Sequence, residues 1–284
     1  MKKSFILLLL LIPLQTFGQA QDQTVTFDQG DFLIIGGGVT RYELRDAGVS
    51  PLFYQGWLPS TGFSFPSYNG KWSSTLYGTF GYGNLTRTEL ATYSSTTYAI
   101  GHGGDLLRNI KALKPNLNLL VGGAYHGTTN IRNTPAFRNA GNTVETFNTL
   151  MASGRLELLM DKTKDRRKLL WLIPLKPGRR VSKLTYQLNI PIVNLSWAPS
   201  FTYLDDFSDG TTDYDQKNEF SVGGFRINSQ LNYQYFFRNG NGLQLSYFWD
   251  AFSGKEGLGQ IELAQHQVHL GLIIRFSELN SVNN

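Results

Sequence analysis

Along residues 220–276 apolar and polar positions alternate with a period of two. Phe225, Ile227, Leu231, Tyr233, Tyr235 and Phe237 share one parity, broken by Ser229. Arg226, Asn228, Gln230, Asn232 and Gln234 hold the other. After Arg238-Asn239-Gly240-Asn241-Gly242 the pattern resumes with Leu243, Leu245, Tyr247 and Trp249 against Gln244, Ser246 and Asp250. A last run sets Val268, Leu270, Leu272, Ile274 and Phe276 against Gln267, His269 and Arg275. Successive side chains of a strand point to opposite faces, so the period predicts three long strands. The run 222–237 far exceeds the roughly five or six residues of a soluble strand. It suits a strand tilted through a bilayer, which needs roughly 9–11 residues in the hydrocarbon and projects beyond it.

Earlier segments repeat the pattern. Strand 1 is expected over 32–44, with Gly36-Gly37-Gly38 inside it. No phosphate loop is implied there, because Val39-Thr40-Arg41-Tyr42 continues as strand where a helix would be needed. Strand 2 is expected near 53–65 and is the weakest, since Pro59 and Pro66 remove ladder donors. Past the turn Tyr68-Asn69-Gly70, strand 3 points Trp72, Leu76, Phe80 and Tyr82 outward and Ser73, Thr75, Tyr77 and Thr79 inward. Strand 4 is placed at 90–107, and Lys111–Asn116 turns into strand 5, which carries Leu117 to Tyr125. Residues 127–143, rich in Asn and Thr, read as a polar loop. Strand 6 follows at 144–160, and strand 7 at 184–197 with a bulge near Val193. The prediction is all-β: one antiparallel transmembrane up-and-down barrel over 19–284, of about ten strands, with eight or twelve as alternatives. An even count puts both termini at one end, read as periplasmic. Short turns then belong near 69, 113 and 240, and longer loops near 87, 135, 210 and 258.

Composition adds to this. The 19 Phe, 14 Tyr and 5 Trp crowd strand ends such as Tyr235-Phe236-Phe237, as interfacial girdles would. Residues 1–18 read as a secretory signal, with Lys2 and Lys3 before an apolar core and cleavage after Gly18 or Ala20. The mean hydropathy of −0.23 looks soluble, but a barrel turns only alternate residues to lipid. A formal charge of +5 is too mild to argue for nucleic acid, and no nucleic-acid motif occurs. Cysteine is absent, which rules out disulfides, thiol chemistry and a lipid-anchored N-terminus.

The closing segment His269-x-Gly271-x-x-Ile274-x-Phe276 resembles the insertion signal of bacterial outer-membrane β-barrel proteins. It departs in one respect: Ser277–Asn284 follow the phenylalanine. The resemblance implies insertion by the outer-membrane assembly machinery and contact with outer-membrane lipid and lipopolysaccharide. It implies no ligand and no activity.

Candidate chemistry is sparse. Asp250 and His269 share the inward parity of neighbouring strands, where a carboxylate orienting an imidazole makes a general base. An interior polar network filling a narrow barrel, where polar side chains are expected in any case, is the favoured account of them. Ten-stranded barrels include the omptin proteases, but their paired acidic and acid–histidine motifs find no match here. The loop residues Asp205, Asp206, Asp209, Asp213 and Asp215 are dense in calcium-type oxygen ligands, yet the closing glutamate of a twelve-residue calcium loop is missing, and a solvated loop fits as well. Arg155, Glu157, Arg226, Gln230, Gln234 and Arg275 are expected to fill the lumen. From Lys162 to Lys183 nine Lys or Arg surround Trp171; Arg166, Arg167, Lys168, Arg179 and Arg180 would meet anionic headgroups or an envelope protein on the periplasmic side. No cofactor is implied. Three functions remain: an accessory or binding barrel, a narrow passive channel, and an outer-membrane hydrolase.

Overall fold

The computed structural model describes residues 29–46, 50–87, 94–134, 142–162, 168–169, 173–174, 180–200, 217–237, 239–256 and 259–276. Ten antiparallel strands close into a barrel. They are β1 (Gln29–Asp46), β2 (Ser50–Asn69), β3 (Trp72–Thr86), β4 (Ser94–Lys114) and β5 (Leu117–Asn133). β6 (Asn142–Lys162) and β7 (Arg180–Ser200) follow, then β8 in two pieces (Lys217–Val222 and Phe225–Phe236), β9 (Gly242–Glu256) and β10 (Gly259–Arg275). Each strand pairs with its neighbours in sequence, and β1 pairs with β10 to close the ring. A two-residue ladder, Lys168–Leu169 against Ile173–Pro174, stands outside it.

Inward and outward positions alternate along the strands, and over most of the wall the usual sense of inside and outside is reversed. Leu76, Ile190, Leu245, Leu270 and Leu272 are more than half exposed, whereas Arg226, Asn228, Glu145 and Asp250 are fully buried. An apolar exterior around a polar interior is the arrangement a bilayer demands, because lipid solvates the outer side chains and cannot hydrogen-bond inner ones.

Local departures from a regular ladder have sequence causes. Gly36 and Gly38 lie so close to β10 that a Cβ on either would strike the Leu270 or Val268 carbonyl. The bulge falls at Ile192: Leu150 pairs with Val193 but Met151 with Pro191. Inward positions therefore switch from Lys183, Thr185, Gln187 and Asn189 to Asn194, Ser196 and Ala198. In β8, Gly223 and Gly224 adopt φ of +134° and +82°, values an L side chain resists. The Asn194 amide holds this kink by donating to the Gly224 carbonyl at 2.7 Å. Strand 2 runs through both prolines, and the gap in its ladder with β3 spans Pro59.

Three expectations need correction. β5 continues to Asn133, so 127–133 is strand; Thr128, Asn130 and Arg132 point into a polar lumen, which hides the alternation. β4 runs to Lys114 and turns at Pro115-Asn116. The connection near 258 is short, because β9 reaches Glu256 and β10 starts at Gly259. The turns after β2, β4 and β8 share one end of the barrel with its first and last strand ends; this is called the terminal end, and the opposite one the loop end. β6 also ends, and β7 begins, at the terminal end.

Candidate functional site

The polar side chains gather in the lumen, whose contents change along its length. Near the loop end Tyr42, Leu44, Leu58, Leu85, Phe147 and Phe252 pack as an apolar plug. The rings of Phe147 and Phe252 meet at a tilt of 39° with centroids 4.7 Å apart. Tyr42 on β1 crosses the plug and donates to Asn130 Oδ1 on β5 at 2.6 Å. Beside it Arg132 pairs with Glu145, both buried.

Below the plug lies Arg226, with no exposed surface. Its Nε donates to Asp250 Oδ1 at 2.8 Å and its Nη2 to Oδ2 at 2.7 Å, a bidentate pair between neighbouring strands. Nη1 donates to the Phe147 carbonyl at 3.1 Å and Nη2 also to the Thr128 hydroxyl, reaching β6 and β5. Gln265 donates to Asp250 at 2.9 Å, and His126 Nε2 lies 3.6 Å from the same oxygen. His126 in turn is 2.7 Å from the Tyr77 hydroxyl. Six strands thus converge on one charged knot across the barrel.

Next comes a cavity of about 120 Å³. Its walls carry Gln230, Gln234, Gln244, Gln267, His126 and His269 together with Tyr77 and Phe248. One carboxylate oxygen of Asp105, on the same wall, has no hydrogen-bond partner among the described residues. The terminal end is then bridged again. Arg155 donates to Asp105 at 2.7 Å, Ser73 at 2.9 Å and Gln187 at 2.8 Å. Lys183 pairs with Glu157 at 2.8 Å and lies 4.1 Å from the Tyr68 ring centroid on the opposite wall. Phe32, Phe236 and Ile273 complete that layer.

Of the expected lumen residues, Arg155, Glu157, Arg226 and Gln234 are buried and Gln230 lines the cavity. Arg275 sits at the terminal rim against Gly240. Asp250 and His269 do face inward, but at different heights. Asp250 pairs in register with Gln265, and His269 with Ser246. The imidazole of His269 meets the Ser60 hydroxyl instead, at 2.7 Å. The acid–histidine contact that forms involves His126, across the lumen, which parity along one hairpin does not reveal. Lys183, counted with the basic stretch, is a lumen residue. Arg166, Arg167, Trp171, Arg179 and Asp205, Asp206, Asp209, Asp213 and Asp215 lie outside the described residues, and only the backbone of Lys168 and Arg180 is described. Among the described residues no three His, Asp or Glu converge as a metal site.

No protein-family model matches the sequence, and no curated protein does. Solved structures do match. The outer-membrane protease OmpT from Escherichia coli superposes with a TM-score of 0.53 at 11% identity, covering 91% of this chain and 100% of that one. The translocator domain of autotransporter NalP from Neisseria meningitidis gives 0.42 at 11% identity, over 90% of each chain. The transport unit of autotransporter AIDA-I from Escherichia coli gives 0.42 at 10% identity, over 93% and 94%. The chain has the fold of the bacterial outer-membrane β-barrels.

Proposed function

We propose that this protein is an accessory or binding barrel of the outer membrane, with a shut lumen and its working surfaces at its two ends. One observation carries the reading: Arg226 is wholly buried across the lumen and bonded to side chains or carbonyls of β5, β6 and β9. A guanidinium so tied cannot swing aside without leaving a carboxylate unpaired in a dry interior, which is strongly unfavourable. Ten strands leave little room to begin with, since about eight are just filled by side chains and open porins need about sixteen.

In this reading residues 1–18 are a cleaved signal, both termini face the periplasm, and the assembly machinery inserts the chain among lipid and lipopolysaccharide. The loop end, with the longer loops expected near 87, 135 and 210, then faces outward. The basic link between β6 and β7, with Arg166, Arg167, Arg179 and Arg180, faces periplasmic headgroups or an envelope protein. The cavity supports a second reading, a narrow channel gated at the knot. Single-channel recording of the refolded protein in a planar bilayer separates the two. Silence from a correctly folded barrel is expected; steady openings would replace the binding barrel with the channel.

A further inference from the structure

The outer wall is not uniform. Over β9, β10 and β1 the exposed positions include Leu243, Leu245, Val268, Leu270, Ile35 and Val39, with one polar pair, Tyr247 and His266 at 2.7 Å, towards the loop end. On β4, β5 and β6 a polar chain crosses the same lipid-facing surface. His102 Nε2 lies 3.0 Å from the Tyr125 hydroxyl, which donates to Asn148 Oδ1 at 2.6 Å. His102, Gly127 and Asn148 are direct cross-strand partners. A side chain at Gly127 would strike both the imidazole and the amide, so its absence lets the two close over the middle strand.

The cluster lies at the depth of the hydrocarbon. Exposed Tyr98, Ile131 and Val144 flank it towards the loop end, and exposed Leu106, Val121 and Leu156 towards the terminal end. Two of its polar atoms, His102 Nδ1 and Asn148 Nδ2, have no hydrogen bond among the described residues. Acyl chains offer neither donor nor acceptor, and water is absent at this depth. The complement must come from another protein wall, and what spans the outer membrane is a barrel.

We infer that the β4–β6 wall is the interface of a two-fold homodimer, in which the Asn148 amide of each copy donates to the His102 imidazole of the other. The cluster carries its own complement: the free donor and the free ring nitrogen sit on either side of Gly127, so a two-fold axis along the membrane normal beside Gly127 sets the β6 side of each copy against the β4 side of the other. Self-complementarity of one patch is what an isologous pair requires, and such pairs are the commonest oligomers. Gly123, Ala152 and Gly154 next to the cluster strip the wall of bulk, as close approach of two backbones in lipid favours. A Cβ at Gly154 meets nothing within 4 Å, so that position is open space on the surface.

The test is the oligomeric state of the full chain, by sedimentation in detergent and by energy transfer between labelled barrels in phospholipid vesicles. The unaltered protein should be dimeric in both. Asn148→Leu removes the donor, and Gly154→Leu blocks the approach without touching a hydrogen bond; each should weaken the dimer about tenfold or more. Leu270→Trp on the opposite wall should leave it unchanged. Urea midpoints of all three variants check that the barrel still folds. A monomer in both media, a dimer indifferent to both β6 substitutions, or cross-linking in native membranes to a different barrel alone would overturn the inference.

Discussion

The two halves of the lumen solve the same problem with different materials. The loop half is solid: an apolar plug on a charged knot, with the Arg226 guanidinium given four hydrogen bonds to protein atoms. The terminal half is bridged only at its rim and encloses about 120 Å³ beneath the knot. On the usual measure of roughly 10–15 Å³ of such space per water, that volume holds several waters. A charge in the solid half depends entirely on its protein partners, whereas a charge beside the cavity has water as a substitute. The same ion-pair chemistry should therefore be worth different amounts in the two halves.

The largest effect is expected from Asp250→Ala. It strands a fully buried guanidinium, and breaking such a pair from one side costs about 3–5 kcal/mol. Urea unfolding of the refolded barrel would show it. Replacing both partners, Arg226→Met with Asp250→Leu, should recover most of the loss, because no charge is then left buried. Should the double variant be as unstable as the single one, the knot's value lies in its shape and the contrast between the halves is mis-stated.

Asp105→Ala is the matched change in the wetter half. Arg155 keeps Ser73 and Gln187, and Glu157 stands 3.7 Å away. The loss should be nearer that of one hydrogen bond to a charged group, about 1.5–3 kcal/mol, measured the same way. Equal losses for Asp105 and Asp250 would mean that the cavity does not solvate its wall.

Much of this was legible in the residues. Strand number followed from the alternation together with turn residues, because a lipid-facing wall enforces period two more strictly than a half-wet sheet. The bulge showed in Val193, Leu195 and Trp197 taking over the parity held by Tyr186, Leu188 and Ile190. What escaped was the upper part of β5. Thr129 on its outer face is as polar as Thr128 and Asn130 inside, so no period marks it. Partners across the lumen escaped too: Asp250 and Arg226 lie on paired strands, but His126 reaches Asp250 only once closure and strand stagger bring β5 opposite β9. Asp250 and His269 illustrate the limit, since parity fixes the face of a side chain and leaves its height to the register.

The smallest effect concerns volume. Ala99 belongs to the apolar plug, and the space beside it is about 10 Å³, at most one water. Ser64 lines the larger cavity and makes no hydrogen bond among the described residues. Leucine at Ala99 must displace packed neighbours, and overpacking of that kind costs typically about 1–3 kcal/mol. Leucine at Ser64 has room, and the apolar contact it gains against its cross-strand partner Ile34 should hold its change to under about 1 kcal/mol. Comparing the urea midpoints of Ala99→Leu and Ser64→Leu measures the contrast between the halves with no charge involved. If leucine at Ser64 were the more damaging of the two, the cavity would be a structured, water-bonded network that resists displacement, and the low cost expected for Asp105→Ala would have to be revised upward with it.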